Sequence, residues 1–351
     1  MLIESRESQL PTVTRHLPHR PGERRLMTAG PPTIAAIQAL QASLAGDITR
    51  TPMLRCAGLE AHIGADVRIW AKPEFLQRTG TFKARGALAV VKSLPPQQIK
   101  AGVTAVSAGN HAIATAYAAK AVGASAKVVM MSSANPSRIA ACRSYGADIV
   151  FTDDVHQAFR IAEDICEQEG RYFVHPYEGP EIATGTGTIG LEICQDCDEF
   201  DAVLVSIGGG GLMGGIANAI KQLRPGCELI GVEPEGADSM HRSFAAGEPC
   251  GIDEVCTIAD SLGAPFAMPY SFELCRDNVD KLVSVDDLEL RRSMGLLFRN
   301  MKIAVEPACA ATTAALAGPL RESLAGKSVV LVMCGSNIDW ATFAEQAIFE
   351  D

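Results

Sequence analysis

In the stretch QRTGTFKARGA, residues 77–87, Lys83 follows Phe82 immediately after a Thr-Gly-Thr turn, between the apolar runs VRIWAK and ALAVV. A lysine amine attacks a carbonyl only after losing its proton, and burial or a neighbouring cation favours that loss. The Phe82 ring and Arg85 flank Lys83 and offer one of each, so Lys83 is a candidate nucleophile.

A second chemical feature is SIGGGGLMGGIA, residues 206–217, where four consecutive glycines separate an apolar strand from a helix. Without Cβ atoms, the backbone N–H groups of such a loop converge at the positive end of the helix and form a phosphate cradle. Gly209, Gly211 and Gly214 also satisfy GxGxxG, and Glu233 ends the next strand where a dinucleotide fold would place its ribose-binding acid. By itself the loop leaves open a nicotinamide dehydrogenase, a turn needed only for close packing, and another phosphate ligand. A phosphate cradle together with a poised lysine is what pyridoxal phosphate requires.

The elements that must position these groups alternate in type. A helix at about 33–45 precedes strands near VRIWAK and VTAVS, a helix from HAIATAYAAKAV, strand AKVVMM, helix PSRIAACRSYG and strand DIVF. The helix VHQAFRIAEDICEQEG then leads to strand YFVH, a helix after EIATGTGTIG, strand DAVLVSI, a helix from LMGGIANAIKQL and strand ELIGVEP. Alternation of this kind builds parallel sheets with helices on both faces and places ligands where strand ends meet helix starts. Residues 1–30 contain helix breakers and no sustained period, and read as a loosely ordered arm without chemistry.

Composition removes other classes. At 351 residues, with 47% hydrophobic and 21% charged residues, the chain is long enough for two cores. Its net charge of −10, with acids interspersed, argues against a nucleic-acid or anionic-membrane partner and leaves small-molecule chemistry. No apolar run approaches a membrane span and the N-terminal residues lack a signal-peptide block, so a cytoplasmic protein is expected. Eleven cysteines scattered from Cys56 to Cys334 suit a reducing compartment rather than a disulfide framework. The CxxC of Cys194 and Cys197 has no second ligand pair and reads as thiols on a helix.

QRTGTFKARGA resembles the Schiff-base motif of the fold type II pyridoxal-phosphate enzymes, the group holding serine/threonine dehydratases, serine racemases and threonine synthases. SAGNHA at 107–112, GGGG at 208–211 and CGSN at 334–337 follow in that family's order, and the resemblance runs from about residue 33 to the C-terminus. Four ordered motifs outweigh one GxGxxG, and the dehydrogenase reading gives way. The resemblance implies an α/β fold of the tryptophan synthase β type, with two open, twisted, mostly parallel sheets flanked by helices. It further implies a large cofactor-binding domain over residues 31–101 and 179–351 and a small mobile domain over 102–178.

Residue by residue, the resemblance implies pyridoxal 5′-phosphate joined to Lys83, with Phe82 packing the site and Asn110 bonding the phenolic oxygen. Gly208, Gly209, Gly210 and Gly211 would hold the phosphate, with Leu212 and Glu306 also against the cofactor. Cys334 would face the pyridine nitrogen, where the family usually has Ser or Thr. A neutral thiol there leaves the ring uncharged, which suits elimination over transamination. The backbone of Ser107, Ala108, Gly109, Asn110 and His111 would bind the substrate carboxylate at a helix start, in keeping with the anion affinity of helix N-termini. Relatives also bind a divalent cation, Mg or Ca, through residues matching Glu233, the Ala237 carbonyl and an acid where this chain has Ser239; that replacement removes one charged ligand.

The implied activity is elimination of water from a β-hydroxy amino acid such as L-threonine or L-serine, giving a 2-oxo acid and ammonia, in a homodimer or homotetramer. Ala108 stands where similar racemases carry a second serine, so racemisation is not expected. The chain ends soon after CGSNIDWATFAEQ, so feedback control through a C-terminal regulatory domain is not expected either. Ser261 in IADSLG replaces a family glycine, and VEPACA departs from the family after Glu306. HPYEGP, VEPEGADSM and SLGAPFAMPYSF resemble a dehydratase group associated with hydroxyectoine breakdown, which implies a substrate larger than serine. β-Replacement synthesis and serine racemisation are the competing readings.

Overall fold

The structure, a computed structural model, describes residues 29–349; the arm expected over residues 1–30 lies, but for its last two residues, outside them. In chain order the strands are β1 (Leu54–Arg55), β2 (Arg68–Pro73), β3 (Val103–Val106), β4 (Ala126–Met131), β5 (Asp148–Thr152), β6 (Tyr172–Phe173), β7 (Ala202–Ser206), β8 (Glu228–Pro234), β9 (Lys281–Val285) and β10 (Ser328–Met333). They form two sheets, one ordered β1-β2-β10-β7-β8-β9 and the other β5-β4-β3-β6. Every pairing is parallel except that of β1 with β2. The fold is therefore α/β with two mostly parallel sheets, as the motifs imply.

The apolar runs explain the order. AVLVS in β7 is buried along its length and SVVLVM in β10 from its second residue, which suits strands covered by helices on both faces. Val329 of β10 faces Ile69 on one side and Ala202 on the other. The glycine loop after β7 and the CGSN segment after β10 thus leave the sheet side by side, at its carboxyl edge. In the second sheet β3 ends at Val106 and leads through residues 107–109 into the helix Asn110–Ala121.

One expectation is corrected. The glycine and threonine run EIATGTGTIG does not precede a helix but lies inside one, Pro180–Asp196. Glycine and threonine are poor helix formers, and packing overrides that preference. A Cβ on Gly185 would stand 2.7 Å from the Arg85 carbonyl oxygen and 2.8 Å from Gly86 Cα, and one on Gly190 would stand 2.8 Å from the Ile216 carbonyl oxygen. The glycines let this helix press its backbone against the helices Lys83–Ser93 and Gly211–Leu223. Thr186 turns its hydroxyl to the carbonyl oxygens of Ile182 at 3.0 Å and Gly211 at 2.8 Å, so the threonines serve the same packing.

The contact of helix Pro180–Asp196 with helix Lys83–Ser93 encloses four charged side chains, Lys72, Glu74, Arg85 and Glu192, each at most 1% exposed. Arg85 donates to both Glu74 oxygens, at 2.8 and 2.9 Å, and to both Glu192 oxygens, at 2.7 and 2.9 Å. Lys72 Nζ donates to Glu192 at 2.6 Å and to the Thr51 carbonyl at 2.7 Å, while Thr51 Oγ1 donates to Glu74 at 2.6 Å. Two cations face two anions with their hydrogen-bonding capacity nearly filled, the condition under which buried charge is tolerated.

Because the atoms facing Gly185 are backbone, they have little room to yield. Gly185→Ala should lower the stability of the protein by about 1–3 kcal/mol, as overpacking does, read as a drop in the chemical denaturation midpoint. A gain in stability, as helix propensity alone would give, is the contrary result.

Candidate active site

Lys83 is the first residue of the helix Lys83–Ser93. The turn before it is zipped to the segment after β10: Phe82 N–H donates to the Cys334 carbonyl at 3.1 Å and Ser336 N–H to the Gly80 carbonyl at 3.0 Å. Thr81 pairs with Gly335 as an antiparallel bridge, and Asn337 Nδ2 donates to the Thr79 carbonyl at 2.9 Å. A Cβ on Gly335 would meet Thr81 Cγ2 at 2.6 Å, which explains the glycine of CGSN. The lysine and CGSN motifs are thus two halves of one structure.

Lys83 Nζ donates to the Pro176 carbonyl at 2.6 Å and lies 5.1 Å from the centroid of the Phe82 ring. Burial pushes its pKa down to about 8, while Cys334 and Glu306 act in the opposite direction. The expected contribution of Arg85 is corrected. Its guanidinium points away into Glu74 and Glu192, whose charges balance it, so Lys83 owes its lowered pKa to desolvation rather than to a neighbouring cation.

The glycine loop faces the same space. Gly210 has φ +90°, a left-handed conformation that glycine adopts at no steric cost, and Gly211 opens the helix Gly211–Leu223. A Cβ on Gly208 would press on the Leu262 backbone at 3.1 Å, one on Gly209 would collide with the Tyr177 ring at 2.3 Å, and one on Gly211 would collide with the Tyr177 carbonyl oxygen at 2.3 Å. A cavity lined by Phe82, Lys83, Gly86, Ala87, His111, Pro176, Ile182, Thr186, Gly211 and Leu212 joins the lysine to the start of this helix. A deprotonable amine and a helix N-terminus free of side chains in one cavity fit a ligand that carries both an aldehyde and a phosphate.

The SAGNH segment closes another side. Ser107 Oγ accepts from Gly109 N–H at 3.1 Å, Ala108 is exposed, and Asn110 is the first residue of its helix. Asn110 Nδ2 donates to Glu306 at 2.9 and 3.0 Å, and its Oδ1 accepts from Asn337 Nδ2 at 2.8 Å. Burial pushes the Glu306 carboxyl up, against the opposing pull of Asn110, Arg138 and Ser261. His111 and His175 are each pushed down to about 3 by burial, with Lys83 adding to the effect. His111 Nε2 is 2.8 Å from the Val174 carbonyl oxygen, and His175 Nδ1 accepts from Glu178 N–H at 3.0 Å. Both imidazoles are neutral at physiological pH and hold the loops in shape. Cys334 is 3% exposed; contact with the Cys309 thiol and burial push its pKa well above the ordinary thiol value, which keeps it neutral.

The structure therefore gathers Phe82, Lys83, Asn110, His111, the glycine loop, Leu212, Glu306 and Cys334 around one centre. Pro176, Tyr177, Thr186 and Arg138 also belong to it and were not singled out; HPYEGP marks the first two only as a segment, and Arg138 carries no local signal in PSRIAACRSYG.

The expected cation site at Glu233 and Ala237 is not supported. Glu233 Oε1 accepts from Met240 N–H at 2.9 Å, and Oε2 accepts from His241 N–H at 2.8 Å with His241 Nδ1 at 2.6 Å. The carboxylate caps the helix Ser239–Ala246, and among the described residues no three His, Cys, Asp or Glu side chains converge on a metal position. The eleven cysteines are all free, Cys194 and Cys197 included, and no described helix is long and apolar enough to cross a membrane.

The family model described as pyridoxal-phosphate dependent enzyme matches residues 44–335. The chain is 50% identical over 320 residues to the phenylserine dehydratase of Ralstonia pickettii, covering 91% of this chain and 98% of that protein. It is 37% identical to the L-threo-3-hydroxyaspartate ammonia-lyase of Saccharomyces cerevisiae, over 85% of this chain and 90% of that one. Among solved structures, maize serine racemase superposes with a TM-score of 0.85 at 32% identity, covering 90% of this chain and 97% of that one. The matched region contains every residue that builds the cavity around Lys83, and the chain belongs to the pyridoxal-phosphate dependent enzyme family.

Proposed function

We propose that the protein is a dehydratase that removes water from a β-hydroxy amino acid with a bulky β-substituent of the phenylserine kind, releasing a 2-oxo acid and ammonia. The observation that carries this reading is the identity of half the aligned residues with a phenylserine dehydratase along nearly the whole of both chains. Threonine and serine are the smaller members of the same substrate class.

Pyridoxal phosphate, when bound, supplies the carbonyl that captures an amine and the ring that receives the electron pair released at Cα. The chain supplies the rest. Backbone N–H groups within residues 108–111 would hold the substrate carboxylate at the start of the helix Asn110–Ala121, the Ser107 N–H being taken by the Val129 carbonyl at 3.1 Å. Gly208–Gly211 and the helix they open would hold the phosphate, with Leu212 against the ring and Asn110 at the phenolic oxygen. Lys83 Nζ, already desolvated, takes the Cα proton. Cys334, buried and neutral, would face the pyridine nitrogen, and a neutral thiol there would suit departure of the β-hydroxyl. Residues 102–178, which carry the four-stranded sheet, form the smaller unit and move to admit substrate.

A substrate panel tests the assignment. The kcat/KM for phenylserine should exceed that for serine by roughly tenfold or more, the discrimination an apolar pocket gives a larger substituent, measured as 2-oxo acid release. Equal rates on both, or activity only with 3-hydroxyaspartate, would remove the aryl assignment.

Uptake of pyridoxal 5′-phosphate by cofactor-free protein should accelerate as pH rises through about 8, because below that value the Lys83 amine is protonated and cannot attack. Borohydride treatment of the loaded protein should fix the label on Lys83, and Lys83→Ala should lower turnover by about a thousandfold, within the range of a lost proton-transfer group. Recovery of the label on another lysine would overturn the assignment.

Ala108 is exposed beside the carboxylate loop and has no proton to give. Ala108→Ser should raise exchange of the substrate α-proton with solvent, followed by NMR in deuterated buffer, while dehydration continues. Rapid racemisation by the unmodified enzyme would show that another group supplies the second proton.

A further inference from the structure

Ser261 stands where the resembled family has glycine, and its hydroxyl lies between two carboxylates. Its Oγ is 3.1 Å from Glu306 Oε1 and 3.2 Å from Asp260 Oδ1, with Asn110 Nδ2 at 3.5 Å. A hydroxyl has one proton to donate, so the two carboxylates compete for it. Asp260, whose side chain is 55% exposed, is already held by the fork of Arg138, through Nη1 to Oδ2 and through Nη2 to Oδ1 at 3.3 Å. Glu306 is 1% exposed and has Arg138 only at 3.9 Å. The other titratable groups that face it are Lys83 at the start of its helix and Cys334 after β10. The buried carboxylate therefore has the greater need of the proton, since water does not reach it.

We propose that Ser261 is a positioning residue: its hydroxyl proton, released from Asp260 by Arg138, holds Glu306 as a carboxylate, and that carboxylate fixes the amide of Asn110. An ionised Glu306 only accepts hydrogen bonds, so it keeps Asn110 Nδ2 turned toward itself and Oδ1 toward Asn337 Nδ2. A protonated Glu306 is itself a donor and would accept Asn110 in either orientation. The amide direction at the start of the helix Asn110–Ala121 is thus set from the 3₁₀ turn Asp260–Leu262. The inference rests on the proposed dehydratase reading for its activity arm alone.

The test compares holoprotein with Ser261→Ala and Ser261→Thr, each in the unmodified and the Glu306→Gln background, across a pH series. Burial raises the Glu306 pKa in the folded state, so its contribution to stability is present below the unfolded carboxylate value and is lost as pH rises through the folded one. Removing a donor to the carboxylate deepens that loss. The gap in thermal midpoint between unmodified protein and Ser261→Ala should therefore widen as pH rises, and should become independent of pH when Glu306 is Gln. The kcat/KM of Ser261→Ala should change in the opposite sense, falling by up to about tenfold on the acid side and recovering toward alkaline pH, the size expected for one hydrogen bond to a charged group. Ser261→Thr, which keeps the hydroxyl, should restore both profiles. A midpoint gap that does not vary with pH, or one that persists with Glu306→Gln, overturns the proposal. If no β-hydroxy amino acid were turned over, the dehydratase reading would fall, while the stability arm, which needs no substrate, would still decide the role of Ser261.

Discussion

Arg85 is the fixed point of the structure. A guanidinium with no exposed surface is tolerable only if two carboxylates meet its fork, and here they come from the turn after β2 and from the helix Pro180–Asp196. Breaking such a group by removing one partner costs roughly 3–5 kcal/mol, because the remaining charge is left without compensation. The requirement binds together β2, the helix that begins with Lys83, and the helix that packs against the glycine loop. Lys83 is two residues from Arg85, so the placement of the reactive amine follows from where the guanidinium must lie. The same pairing removes the Arg85 charge from the site and leaves Lys83 in an environment whose main influence is the absence of water.

Strands were the most legible part of the sequence. AKVVMM and ELIGVEP coincide with β4 and β8 because a short apolar run between turn signals has few alternatives. The helix Pro180–Asp196 was misplaced because propensity scores Gly185, Gly187 and Gly190 as breakers, whereas their value lies in what other helices bring against them. The motifs GGGG, SAGNH, TFKAR and CGSN come together in the fold because each sits at a turn or a helix start. What they could not mark is partnership: Glu192 lies 107 residues from Arg85 and Glu306 lies 196 from Asn110, and no local pattern links them. The cation expected at Glu233 finds no support, since the carboxylate is taken up by Met240 and His241 on the helix that it caps.

The electrostatic character of the site follows from burial more than from charge. Two neutral imidazoles, a neutral thiol at Cys334, a lysine whose pKa burial lowers and the buried Glu306 carboxyl, bound by an amide and a hydroxyl, make up the site. Fixed dipoles rather than free charges would then face the phosphate and the carboxylate of the proposed ligands, and dipoles held by the fold need no reorganisation when charge moves.

The zipper between residues 79–82 and 334–337 has a consequence for how the protein comes into being. Asn337 bonds to the Thr79 carbonyl across 258 residues of chain. During synthesis Lys83 therefore leaves the ribosome well before the strand end that orients it. A nascent chain can collapse around β2 and the second sheet, but it has no finished seat for a cofactor until β10 has inserted between β2 and β7. Cofactor capture therefore waits on β10, and retention of the cofactor reports that this central strand is in place.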